Sequence, residues 1–131
     1  MGEFDGRVVV VTGGGIGLGE AFSRGFAEAG AQVVVADIAD EAAQGVAGEI
    51  NGFAVHTDVS DESSTKAMAK AAHDKYGRID ILINNAALWT AILPMKPWDE
   101  IPVEEWDRVM AVNVKGYFLA ARAVFPYMKE K

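Results

Sequence analysis

Residues 8–19 read Val8-Val9-Val10-Val11-Thr12-Gly13-Gly14-Gly15-Ile16-Gly17-Leu18-Gly19. Four consecutive valines predict a strand buried on both faces. The glycines follow at once, and an amphipathic helical pattern begins before they end. Strand, glycine turn and helix start form the context in which a glycine motif binds phosphate. Glycine accepts positive φ and lets a pyrophosphate approach backbone that carries no Cβ. The N–H groups of the first helical turn lack intrahelical acceptors, and the helix dipole favours an anion there.

Spacing separates this turn from its look-alikes. G-x-G-x-x-G fails, because Leu18 stands where a third glycine belongs. A P-loop fails as well, because Glu20 occupies the lysine position after Gly14 and Gly19. Thr12, Gly13, Gly17 and Gly19 fill T-G-x-x-x-G-x-G. That pattern resembles the cofactor motif of the short-chain dehydrogenase/reductase family.

Outward from the motif, strand-like and helix-like segments alternate. Strand one covers about residues 7–12. The helix after it carries Leu18, Ala21, Phe22, Gly25, Phe26 and Ala29 at helical spacing, with Gly30 as its C-terminal stop. Strand two spans 31–36. Asp40 can cap a second helix whose inner face is Ala43, Val46, Ala47 and Ile50. Strand three spans 53–57. Ser60 or Asp61 opens a third helix with Ser64, Met68, Ala71, Ala72 and Lys75 or Tyr76 inward, ended by Gly77. Strand four spans 79–84. A connection over 85–102 follows, broken by Pro94, Pro97 and Pro102 and carrying Trp89 and Trp98. A last helix spans 103–128, which Pro126 should kink or end. Alternating strands and helices imply an α/β, Rossmann-like doubly wound parallel sheet of about four strands in order 3-2-1-4. Its ligand crevice lies beyond the strand ends, beside strand one.

Asp37 stands at the end of strand two, placed to accept hydrogen bonds from the adenosine ribose and to repel a 2′-phosphate. Ile38 follows it, and no Arg or Lys lies in the glycine loop. NAD is therefore favoured over NADP. The resemblance extends these readings. It implies that Gly13, Gly15, Ile16, Gly17, Leu18 and Gly19 form the cofactor turn. It also implies that Asp58 and Val59 lie against adenine. Asn84-Asn85-Ala86-Ala87 is similar to the family's Asn-Asn-Ala-Gly, with Ala87 in place of the final glycine. It implies that Asn85, Ala86 and Ala87 approach the cofactor ribose while Asn84 braces the sheet. Asn113 lies on the apolar stripe of Trp106, Val109, Met110, Tyr117 and Phe118, where a buried amide needs partners. The resemblance assigns Asn113 a catalytic role, holding a water in the proton relay.

The resemblance covers essentially the whole chain and implies the N-terminal portion of a longer fold, here a single dinucleotide-binding domain over 1–131. The family's catalytic Ser and Tyr-x-x-x-Lys have no counterpart. Tyr127 and Lys131 match the bare spacing but follow no serine-bearing strand. In an intact member the expected reaction is hydride transfer between nicotinamide and an alcohol or ketone, with tyrosine as general acid or base. This chain is expected to bind cofactor with little turnover. Homo-oligomerisation is expected, through the apolar edge of the last strand or through the last helix.

Composition narrows the rest. The 131 residues are half hydrophobic and 24 % charged, which supports a folded core. A net charge of −7 with no basic cluster argues against nucleic acid and anionic membrane. No cysteine is present, and His56 and His73 are isolated, so no metal site is expected. The N-terminus lacks a signal-peptide pattern, consistent with a cytoplasmic protein. Two other readings compete: a non-catalytic dinucleotide-binding module, and an S-adenosylmethionine methyltransferase.

Overall fold

The four valines form the middle of a parallel sheet. A computed structural model describes residues 2–89 and 94–131. In chain order it contains β1 (Val8–Thr12), α1 (Gly17–Glu28), β2 (Gln32–Asp37), α2 (Asp40–Ile50), β3 (Phe53–His56), α3 (Glu62–Tyr76), β4 (Ile81–Ile83), α4 (Val103–Met110) and α5 (Gly116–Met128). The strand order is β3-β2-β1-β4, all pairs parallel, as the alternation of elements implied.

Alternation along the strands feeds two cores. Val8 and Val10 join Val34 and Ala36 against Met68, Ala69 and Ala72 of α3 and Ala120, Ala123 and Val124 of α5. Val9, Val11, Val33 and Val35 face Ala43, Val46 and Ala47 of α2, with Phe26 of α1 at the margin. A central strand covered on both sides needs apolar residues at every position, which explains the unbroken valine run.

Three helix faces differ from the periodicity reading. In α1 the buried residues are Gly19 and Ser23, whereas Leu18 is 72 % exposed and Phe22 is also exposed. Backbone contacts with the glycine turn set this rotation. In α3 the inward residues are Thr65, Met68, Ala69 and Ala72, so Thr65 and Ala69 replace Ser64 and Ala71. The C-terminal segment is helical from Val103 to Met128, as expected, but not α-helical throughout. A π-helical turn over Ala111–Lys115 separates α4 from α5. The extra residue of a π turn shifts the helical phase. Leu119, Ala120, Ala123 and Val124 become the buried face, while Trp106, Tyr117 and Phe118 stay exposed. Pro126 is accommodated inside the last turn of α5, which ends at Met128.

β4 is shorter than expected. Ile79 is fully buried ahead of it, and Asp80 anchors the entry. The Asp80 carboxylate accepts the Val8 N–H at 2.8 Å and a two-pronged contact from Arg78, at 2.8 Å from Nε and 2.6 Å from Nη2. Burial pushes the Asp80 carboxyl up. The Arg78 hydrogen bonds, the Val8 amide and the charges of Arg78 and Arg7 outweigh that push and hold it below the usual carboxylate range. A carboxyl depressed on folding adds stability above its unfolded pKa and loses it as pH falls through the folded one. Asp80→Asn should therefore cost about 2 kcal/mol at neutral pH. The deficit should begin to shrink as pH falls below about 4, the ordinary unfolded-state value, and go on shrinking until the depressed folded carboxyl is itself protonated. Urea unfolding at neutral and acid pH measures both effects; an equal deficit at the two pH values would contradict this.

Among the described residues, β4 pairs only with β1. Beside that edge, Asn84 Nδ2 donates to Tyr117 O at 3.2 Å, while buried Asn84 Oδ1 has no partner among the described residues. No helix among the described residues is long and apolar enough to cross a membrane.

Candidate functional site

A cleft of about 900 Å³ opens beyond the C-terminal ends of the strands. Its walls include Gly13, Ile16, Gly17 and Leu18, then Asp37 and Ile38, Asp58 and Val59, and Asn85, Ala86 and Ala87. The sheet order brings together these separate turns, because β1 lies between β2 and β4.

The glycine turn is built from two features. Gly13 and Gly17 take φ of 64° and 57°, where a side chain would be strained. Gly19 lies behind the cleft wall, pressed on the turn itself. A Cβ there would overlap Gly13 O and come within 2.6 Å of Asn85 Nδ2. The Ser23 hydroxyl sits 3.0 Å from both Gly14 O and Gly19 O, pinning helix to turn.

The donor inventory of this turn fits an anion. Gly13 N–H donates to Ala36 O at 2.7 Å, and Gly15 N–H donates to Asp37 Oδ2 at 3.0 Å. The N-cap Ile16 is extended and offers no side-chain acceptor. The first-turn amides of Gly17 and Leu18, both at the cleft, have no protein acceptor among the described residues. Uncapped donors beside the glycine positions Gly13 and Gly17 suit a pyrophosphate.

Asp37 is only 6 % exposed. Its Oδ2 accepts from Gly15, and its Oδ1 accepts from Ala39 N–H at 3.0 Å. The carboxylate is thus fixed in place at the cleft, with lone pairs to spare. Asp58 Oδ1 accepts from Ser60 N at 3.0 Å and Ser60 Oγ at 2.6 Å, which orients the turn into α3.

Thr12 and Asn85 tie the two central turns together. Thr12 Oγ1 donates to Ile83 O at 3.3 Å and accepts from the amides of Asn85 and Ala86 at 3.0 and 3.1 Å. Asn85 Nδ2 returns to Thr12 O at 3.1 Å and Gly13 O at 3.2 Å. Asn113 does not line the cleft itself. From the π turn, its Oδ1 accepts Leu88 N–H at 2.7 Å and its Nδ2 donates to Leu88 O at 2.9 Å. Leu88 and Trp89 do line the cleft. Trp98 is exposed and does not, and residues 90–93 of the same connection lie outside the described residues.

Sequence reading missed several wall residues: Ala39, Thr57, Ser60, Arg108, Ala111 and Val112. The last three share one helical face at spacing i, i+3 and i+4, but nothing in residue type marks that face as a cleft wall.

A family model described as short chain dehydrogenase matches residues 7–131. The chain belongs to the short-chain dehydrogenase family. It is 42 % identical to an uncharacterized oxidoreductase of Thermotoga maritima, covering 90 % of this chain and 46 % of that protein. It is 38 % identical to meso-2,3-butanediol dehydrogenase of Serratia marcescens, covering 96 % of this chain and 50 % of the relative. The crystal structure of 3-ketoacyl-(acyl-carrier-protein) reductase from Brucella melitensis, complexed with NADH, superposes with a TM-score of 0.92 at 38 % identity. That match covers 98 % of this chain and 52 % of the reductase. This short-chain dehydrogenase chain thus spans about half the length of these relatives, and less of some longer ones.

Proposed function

We propose that this chain is the cofactor-binding unit of an oxidoreductase that uses NAD and serves hydride transfer on an alcohol or ketone. The observation that carries the reading is the uncapped first turn of α1 at the cleft, beside Gly13 and Gly17 and the fixed carboxylate of Asp37. Family membership and the NADH-bound relative support the ligand class. The butanediol dehydrogenase supports the substrate class.

Each role follows from placement. The Gly17 and Leu18 amides bind the pyrophosphate. Asp37 accepts from the adenosine ribose hydroxyls and repels a 2′-phosphate. Asp58 and Val59 hold adenine, and Asn85, Ala86 and Ala87 carry the ribose of the nicotinamide half. The bound nicotinamide supplies the hydride chemistry. Asn113, with both ends of its amide on Leu88, holds the wall on the substrate side and so positions the relay rather than touching the reacting atoms. No residue of the sequence matches the family's Ser and Tyr-x-x-x-Lys in context, so the chain by itself binds cofactor with little turnover.

Calorimetry with NAD and NADP tests the reading. NAD should bind and NADP should bind more weakly. Asp37→Asn keeps the shape and removes the charge. It should weaken NAD about tenfold and narrow the gap to NADP. Equal affinities for the two cofactors in the wild-type chain, or no binding of either, would reject it. NADH formation with secondary alcohols by the chain alone would reject the low-turnover part.

A further inference from the structure

Arg108 reaches the cleft from α4, and no motif marks it. Among the described residues that line the cleft it is the one cation, against the carboxylates of Asp37 and Asp58. Its guanidinium makes no ion pair and no hydrogen bond among the described residues. Glu104 stands one turn earlier, at the spacing of an i,i+4 pair, yet the pair does not form. Glu105 is taken by Lys96 at 2.6 Å. A free guanidinium on a cleft wall is a group without a structural job, while two acids nearby raise the local demand for positive charge.

The layers of the fold say which part of the ligand it meets. α3 and α5 cover one face of the sheet, and α2 with part of α1 covers the other. Arg108 enters with Ala111 and Val112, which lead into α5, on the side where the Asp58–Ser60 turn leads into α3. The glycine turn that serves the pyrophosphate starts α1 on the opposite side. A planar guanidinium stacks on aromatic faces, and purines offer such a face.

We infer that Arg108 stacks on the purine at the adenosine end of the bound dinucleotide and sets affinity there. The inference rests on the reading of the cleft as an NAD site. Arg108→Ala should weaken NAD, AMP and adenosine alike, by about five- to tenfold. Arg108→Lys keeps the charge without the plane and should leave adenosine as weak as the alanine variant does. Arg122→Ala, in the groove between α3 and α5, serves as the surface-charge control and should bind as wild type. Circular dichroism checks that the variants fold. The ligands are titrated by calorimetry and, for adenosine, by NMR.

If the wild-type chain binds NAD but Arg108→Ala matches it, the Arg108 assignment falls and the cofactor reading stands. If AMP weakens while adenosine does not, the contact is with phosphate, and the stacking assignment falls. If the wild-type chain binds none of the three ligands, both readings fall.

Discussion

Gly19→Ala should weaken cofactor binding by about a hundredfold or more and lower stability by roughly 3 kcal/mol or more. The new Cβ would overlap Gly13 O and crowd Asn85 Nδ2 at 2.6 Å. Neither neighbour can yield cheaply. Gly13 is held through its N–H to Ala36 O at 2.7 Å, and its carbonyl accepts from Asn85 Nδ2 at 3.2 Å. The strain is therefore relieved by lifting α1 from the turn, which breaks the Ser23 pin and moves the Gly17 and Leu18 amides. Moving those amides removes donors to a charged pyrophosphate, each worth about 1.5–3 kcal/mol, so NAD affinity should drop by about a hundredfold or more. The same chemical change elsewhere should have the opposite sign. Gly45 and Gly48 sit inside α2 with nothing within 4 Å of an added Cβ. Alanine at either should stabilise by about 0.5–1 kcal/mol through helix propensity alone. Thermal unfolding and NAD titration of the three variants check the contrast. A Gly19→Ala chain with wild-type melting temperature and affinity would show that helix and turn are not in contact as described.

That contrast shows what a sequence reveals and what it hides. The valine run announced a central strand and the alternation of elements announced the sheet order, because burial on two faces and helical spacing leave plain marks in residue type. Asp37 was marked by its place at the end of strand two, and Asp58 and Asn85 by the family resemblance; all three line one cleft. The inward face of α1 was not legible. Its closest contact is glycine against backbone, which carries no hydrophobic signal, so periodicity pointed to Leu18 and Phe22 instead. The π turn escaped for the same kind of reason. It is a backbone phase change, and it separates Trp106, Tyr117 and Phe118 from the buried set of α5. Asn113 was recognisable as an amide in need of partners, but those partners are the backbone atoms of Leu88, which any residue would supply. Arg108 was hidden because a single exposed arginine reads as solvated surface until the fold gives it a cleft.

Thr12→Val should destabilise the chain by about 3–5 kcal/mol. Thr12 is fully buried, and valine matches it in shape, so packing barely changes. What disappears is the hydroxyl. β4 ends at Ile83, and its ladder to β1 ends with it at Val11. Beyond that point the Thr12 hydroxyl takes over the pairing, donating to Ile83 O and accepting from Asn85 and Ala86 N–H. Without it, two amides lose their acceptor, each at a cost of about 1–3 kcal/mol when water cannot replace it. The turn that they anchor carries Asn85, Ala86 and Ala87 to the cleft. NAD affinity should therefore fall as well, by about tenfold, a single-hydrogen-bond-sized loss in the fixed site. Thr12→Ser retains the hydroxyl and loses one methyl group, for about 1 kcal/mol. Urea unfolding separates valine from serine, and amide hydrogen exchange reads the mechanism directly. The Asn85 and Ala86 amides should be protected in the wild type and the serine variant and exchange freely in the valine variant. Equal stability of the valine and serine variants, with both amides still protected, would mean that the main chain and not this hydroxyl joins the two central turns.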